Sequence, residues 1–309
     1  MSSVLYDAPG PRARRNSMIG TVVAGAVLLG LAVLVVVQLG NNGQLDGAKW
    51  GPIYNPGNPY FVATWLRLLT GLLVTLETAA ITLVLALAIG TLLVILRITS
   101  SRAFRWIVVT IVEGLRGLPV IVTIFFAARV LPEFGVSMPP LWYVVVGLTA
   151  YNCVIIAEII RSGINALPRG QAEAAYAVGM SRLQVLRLIL LPQAFRLMLP
   201  ALISQLVVIV KDTSLGFVVF GYSDFVREAN TVIQFFGGQL KINFPLQMFL
   251  TVALVFILIN YGLGKLAEYI NRRGSRGPKR PAGTTADTAV LVEAGVHGTA
   301  ATGGGTGAA

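Results

Sequence analysis

Six long apolar runs, at about 18–39, 64–96, 106–130, 141–160, 198–220 and 246–270, restrict this chain more than any other feature. Each is close to or beyond the roughly 20 residues that an α-helix needs to cross a hydrocarbon layer of ~30 Å. Only 12% of the residues are charged, against about 25% in soluble domains, so there is too little polar surface to cover six such runs in water. In lipid, every backbone N–H and C=O must be satisfied within the spanning structure, and helices do this by themselves. The chain reads as an all-α integral membrane protein with about six transmembrane helices.

The first run follows Arg12, Arg14 and Arg15. It is longer than the roughly 7–15 apolar residues of a secretory signal, and no small-x-small cleavage site follows, so a retained helix is expected. The run at 64–96 is too long for a straight crossing; tilt, or an amphipathic segment around Trp65, Leu66 and Arg67, should absorb the excess. Placing the N-terminus in the cytoplasm puts sixteen Lys and Arg on the inner loops and three, Lys49, Arg227 and Lys241, on the outer ones. That asymmetry predicts cytoplasmic termini. It also accounts for the net charge of +11, which in a soluble chain would point to nucleic acid. No nucleic-acid partner is expected.

The resulting organisation is a basic cytoplasmic N-terminus at 1–17, a membrane helix at 18–39, an extracytoplasmic loop at 40–63 and a membrane domain at 64–272. That domain contains a cytoplasmic loop at 161–196, and a tail follows at 273–309. The tail is rich in Gly, Ala and Thr without periodicity and reads as disordered. Trp50, Tyr54, Tyr60, Trp142 and Tyr143 fall at interfacial positions.

Catalysis by the chain itself is improbable on residue grounds. The single cysteine, Cys153, lies in an apolar run and the single histidine, His297, lies in the tail. Together they exclude an intramolecular disulfide, cysteine zinc clusters and Ser-His-Asp chemistry. No metal site is expected. No GxxxxGK[ST] phosphate loop occurs, and Gly303-Gly304-Gly305 lacks both a lysine and a strand-helix setting.

The loop at 161–196 is too long for a plain connection. Pro168 suits a helix start, Gln171-Ala172-Glu173-Ala174-Ala175-Tyr176-Ala177 favours helix, and Gly179 provides a stop. Ser181 and Gln184 then fit a capping box. Leu183, Leu186 and Leu190 give an amphipathic second helix, expected to end near Pro192. The pattern alone is equally consistent with a solvent-hung connector. The particular residues favour more: Glu173-Ala174-Ala175, then Gly179, Ile189 and Leu191-Pro192, resemble the EAA signature of ATP-binding-cassette (ABC) importer permeases. The resemblance implies that this loop seats in a groove of a cytoplasmic ATPase, with Gln171, Glu173, Ala174, Ala175, Gly179 and Pro192 as coupling residues. Two alanines would let a helix approach a partner closely, and a glutamate would offer a directional anchor.

The likeness covers about 60–272 and extends to the polar amino-acid branch of these permeases. It is carried by Gly71-Leu72-Leu73-Val74-Thr75-Leu76-Glu77-Thr78, Arg116-Gly117-Leu118-Pro119, Ala157-Glu158-Ile159-Ile160-Arg161-Ser162-Gly163 and Lys211-Asp212-Thr213-Ser214-Leu215. Leu118 and Ser204 depart from the usual Thr and Asn. The segment Val4–Pro11 and the extra first helix look like the second permease subunit of glutamate importers from high-GC Gram-positive bacteria, that is, actinobacteria. The fold implied is a five-helix type I ABC importer permease core with one added N-terminal helix, in a bacterial cell membrane. The partners implied are a cytoplasmic ABC ATPase dimer that binds ATP and Mg, a second and related permease subunit, an extracytoplasmic solute-binding protein and an amino-acid substrate. No cofactor is expected in this chain.

Ionisable groups at bilayer depth are costly, which makes each a candidate for function. Glu113 with Arg116, and Glu158 with Arg161, are three apart on a helix and could neutralise each other. Lys211 and Asp212 point in different directions and are expected to engage neighbouring helices. Thr75, Glu77, Thr78, Arg116, Asn152, Lys211 and Thr213 are the groups suited to line a path for a zwitterion. Pro119 and Pro200 would kink their helices, or simply mark boundaries. Two other classes compete: an ion-coupled secondary transporter with Glu113, Glu158 or Asp212 as a proton relay, and a membrane scaffold whose loop docks a cytoplasmic partner.

Overall fold

The computed structural model describes residues 10–274, with side chains as far as Ile270. The tail beyond Gly274, with Arg276, Lys279, Arg280 and His297, and the segment Val4–Pro9 lie outside the described residues. All regular structure among the described residues is helical.

Helix α1 (Pro11–Asn41) has Pro11 in its first turn and no buried residue. The connection that follows contains a short helix, α2 (Gly47–Tyr54). It is pinned at both ends, since Gln247 Nε2 donates to the Gln44 carbonyl at 2.8 Å and Trp65 Nε1 donates to that of Ile53 at 2.9 Å.

Helix α3 (Phe61–Thr99) is a single element of 39 residues, about 58 Å long at 1.5 Å per residue. In its first turns Thr64 and Leu68 are buried, while Val62, Leu66 and Leu69 are exposed. Arg67, expected in an amphipathic segment, pairs with Glu228 at 3.1 Å. Down one face run Gly71, Thr75, Thr78, Ala79, Thr82, Ala86 and Gly90, all buried; residues this small let other helices approach closely without hydrophobic help from water.

The apolar run at 106–130 is not one helix. It divides into α4 (Arg102–Arg116) and α5 (Val120–Glu133), which meet at 104°. Pro119 has no N–H and disfavours helical geometry at the residue before it, so the ladder stops at Gly117-Leu118 and restarts beyond the ring. Helix α5 lies tightly on α6 (Pro140–Asn165), where a side chain at Gly147 would collide with the Ile124 backbone. Thr123 Oγ1 donates to the Gly147 carbonyl at 2.9 Å. Helix α6 is the hub of the bundle, touching α3, α5 and α9.

After α7 (Arg169–Ala177), a continuous helical path runs from Arg182 to Val218. It comprises α8 (Arg182–Gln184), a π-turn (Val185–Leu190), α9 (Leu191–Asp212) and a closing 3-10 segment (Thr213–Val218). The expected end near Pro192 is therefore corrected. Just upstream, Leu191 N–H reaches back five residues to Leu186, and this wider turn makes room for the proline ring. Pro200 also sits inside α9.

Between the fifth and sixth apolar runs, where only a connection is expected, lies α10 (Phe225–Gln239). Phe225, Ala229, Val232 and Phe236 are buried at helical spacing. Helix α11 (Pro245–Gly274) completes the bundle.

Candidate functional site: a loop helix and buried polar groups

Helix α7 ends in a left-handed glycine. Gly179 has φ +84°, Met180 N–H bonds the Ala175 carbonyl at 3.2 Å, and Gly179 N–H bonds that of Tyr176 at 3.0 Å. These two bonds form a Schellman close, in which glycine avoids the penalty of a Cβ. The capping box forms as expected. Ser181 N–H donates to Gln184 Oε1 at 2.8 Å and Gln184 N–H donates to Ser181 Oγ at 3.4 Å.

The loop folds back on its own helix. Gln193 Nε2 donates to Gln171 Oε1 at 2.8 Å, and Ala175, 5% exposed, is buried within the chain on the side where α7 meets the π-turn. Of the two alanines, only Ala174 faces outward with Glu173; Pro192 is exposed on the following helix. Sequence reasoning passed over Tyr176 and Val178, which present exposed apolar surface at the loop tip, Val178 being 79% exposed. Their position just before a left-handed glycine was the available signal.

Above this loop, Glu158 joins two helices. It accepts from Arg161 at 2.7 Å, the expected pairing, and also from Arg97 of α3. Glu113 and Arg116 do not pair; both are exposed along α4, and no ion pair links them among the described residues.

The seven candidate pathway residues fall into two groups. Thr75, Thr78, Asn152 and Thr213 are buried and satisfied inside the chain. Thr75 Oγ1 accepts from Phe225 N–H and Thr78 Oγ1 accepts from Tyr222 Oη, each at 3.1 Å, so both hold the segment leading into α10. Asn152 Oδ1 accepts from Gln205 Nε2 at 2.7 Å, bridging α6 and α9, while Thr213 donates to the Val210 carbonyl. Glu77, Arg116 and Lys211 are exposed on the subunit.

Asp224 caps α10, accepting from Arg227 N–H at 2.9 Å. Its second oxygen is buried without a partner. Burial pushes this carboxyl up to about 6, against the pull of the backbone N–H groups that bond it.

A bundle with a broken second core span and a short loop helix packed against the start of a long span fits one class: a type I ABC importer permease. Residues 88–276 match the model of the family described as "Binding-protein-dependent transport system inner membrane component", and the chain belongs to that family as an amino-acid ABC permease of the bacterial inner membrane. It is 42% identical over 247 residues to the glutamate transport system permease protein GluD of Corynebacterium glutamicum, covering 79% of this chain and 86% of the relative. It is 32% identical over 232 residues to the glutamate/aspartate import permease protein GltK of Escherichia coli, covering 72% and 97%. Among solved structures, a crystal structure of an amino-acid ABC transporter with histidines superimposes at a TM-score of 0.61, with 25% identity, over 69% of this chain and 96% of that one. These relatives are transporter permeases rather than enzymes.

Proposed function

We propose that this chain forms half of the translocation pathway of an ATP-driven importer for glutamate. A separate cytoplasmic ATPase dimer binds ATP and Mg, a related second permease completes the pathway, and an extracytoplasmic binding protein delivers the substrate. The observation that carries this reading is mechanical continuity. The α7 tip leaves Glu173, Ala174, Tyr176 and Val178 exposed, it is tied by Gln171 to Gln193, and the helical path bearing Gln193 runs on to Val218, long and apolar enough to be a span. A displacement of α7 by the ATPase passes into a span through this tie and through the packing of α7 on the π-turn, bypassing the turn at Gly179, and alternating access follows from moving that span against α6.

The choice of glutamate is supported by similarity to GluD and GltK and by Arg116 and Lys211, cations exposed at depth. The orientation with both termini inside rests on the distribution of basic residues. A proton relay through Glu158 is disfavoured because Arg97 and Arg161 both engage that carboxylate and tie it to α3 and to its own helix.

The test is uptake by proteoliposomes containing this chain with its partner permease, ATPase and binding protein. Labelled glutamate should enter when ATP is supplied, ahead of glutamine, aspartate and arginine. Preference for another amino acid would keep the permease and discard the substrate.

A further inference from the structure

The charges of α4 lie on one stripe. At 100° per residue, Arg102, Arg105, Glu113 and Arg116 fall within about 80° of arc, with Val109 among them. All four charged side chains are exposed. They make no ion pair or hydrogen bond with any described residue. The neighbouring sector, Val108 and Val112, is buried in the core that also contains Val94, Ile156 and Leu186. Beyond it, on the far flank, Phe104, Ile107 and Ile111 are exposed and wholly apolar. Helix α4 is thus seated on the bundle by its valines, with a charged flank on one side and an oily flank on the other.

The depth of this helix decides what the two flanks meet. Arg102 directly follows the cytoplasmic end of α3, whereas Leu115 and Leu118 share with Ala150, near the middle of α6, an apolar cavity of about 400 Å³. Helix α4 therefore rises through the cytoplasmic half of the bilayer. Glu113 and Arg116, unpaired along that rise, cannot face hydrocarbon without a cost of several kcal/mol each, and Arg102 and Arg105 continue the same stripe to its cytoplasmic end, while the opposite flank is suited to lipid.

We propose that the charged stripe of α4 lines the water-filled cytoplasmic half of the substrate conduit, running from Arg116 at the break to Arg102 at the mouth. With three arginines and one glutamate, its field is net positive and guides an anionic amino acid toward the cytoplasm. This rests on the importer reading given above.

Cysteine accessibility tests it in the assembled complex, and the only native cysteine, Cys153, is buried and out of the way. Arg105→Cys, Glu113→Cys and Arg116→Cys should react with the anionic reagent sulfonatoethyl methanethiosulfonate about tenfold faster than Ile107→Cys and Ile111→Cys, since a thiol in apolar surroundings resists forming the reactive thiolate. Saturating glutamate should slow the labelling of the stripe alone. Val109→Cys, which keeps every charge, should behave like the stripe even if an arginine variant fails to assemble. Equal rates on the two flanks, or a stripe unreactive with and without ATP because the second permease covers it, would overturn the inference. Labelling needs no transport, so an absence of ATP-driven uptake with the pattern intact would count against the importer reading and leave the stripe's exposure standing.

Discussion

Gln193 donates from Nε2 to Gln171 Oε1 at 2.8 Å across 22 residues of sequence, tying the loop helix α7 to the helical path that continues into a long apolar span. The same amide nitrogen also reaches the Ile189 carbonyl at 3.0 Å, inside the π-turn. The contact is exposed, worth about 0.5–1.5 kcal/mol, too little to matter for folding. Its value is in transmission. Gln193→Ala should leave thermal stability within about 1 kcal/mol of wild type and raise the ATP hydrolysed per molecule of substrate taken up. An unchanged ratio would show that α7 moves the span without this tie.

Gly179→Val places a β-branched residue at φ +84°, at a cost of about 1–2 kcal/mol. No neighbour lies within 4 Å of the position a side chain would take, so the penalty is conformational and falls on the loop. The expected result is weakened binding of the ATPase in a pull-down from membranes, with Gly179→Asn retaining most of it because asparagine tolerates the left-handed region. Equal loss in both variants would point to a contact rather than a backbone requirement.

Glu158→Gln leaves Arg97 and Arg161 without their shared carboxylate, at a site where the three side chains are 21–35% exposed. The loss should be about 1–3 kcal/mol, between the values for surface and buried pairs. Denaturation of purified protein in detergent measures it directly. Replacing Arg97 as well, with glutamine, should recover part of the loss, since fewer uncompensated charges remain.

Asp224 gives a pH dependence with a defined sign. Its carboxyl titrates near 6 in the folded chain against an ordinary value of 3.8. The folded state therefore holds the proton more tightly than the unfolded one, and this group lowers stability as pH rises from about 4 to about 6. Asn caps helices as well as Asp does. Asp224→Asn should thus melt at a temperature that gains on wild type across that window and holds its lead above it. A constant difference at every pH would contradict the assignment.

Much of this architecture was legible in the sequence because its determinants are local. Apolar length located the spans, and the Gly179 stop and the Ser181–Gln184 box located the loop helices. Three features were not legible for physical reasons. Pro119 and Pro192 carry the same chemical instruction, yet one ends a helix and the other is absorbed by a π-turn whose presence depends on packing. Helix α10 follows its Asp224 cap with core residues at helical spacing, but its apolar stripe is too short to register as a membrane run. Thr75 and Thr78 read as pathway groups because their hydroxyls suit a zwitterion, and the sequence shows nothing of the hydrogen bonds they make within the chain. Their partners, Phe225 and Tyr222, lie 150 and 144 residues away, beyond the reach of any spacing rule.

The most direct measurement is ATP-driven glutamate uptake by the reconstituted complex with wild-type chain and with Glu173→Lys, at equal membrane insertion. Energy entering through α7 predicts uptake that needs ATP, survives collapse of the proton gradient, and falls sharply in the variant. Wild-type rates with Glu173→Lys, or uptake driven by the gradient without ATP, would contradict coupling through this loop.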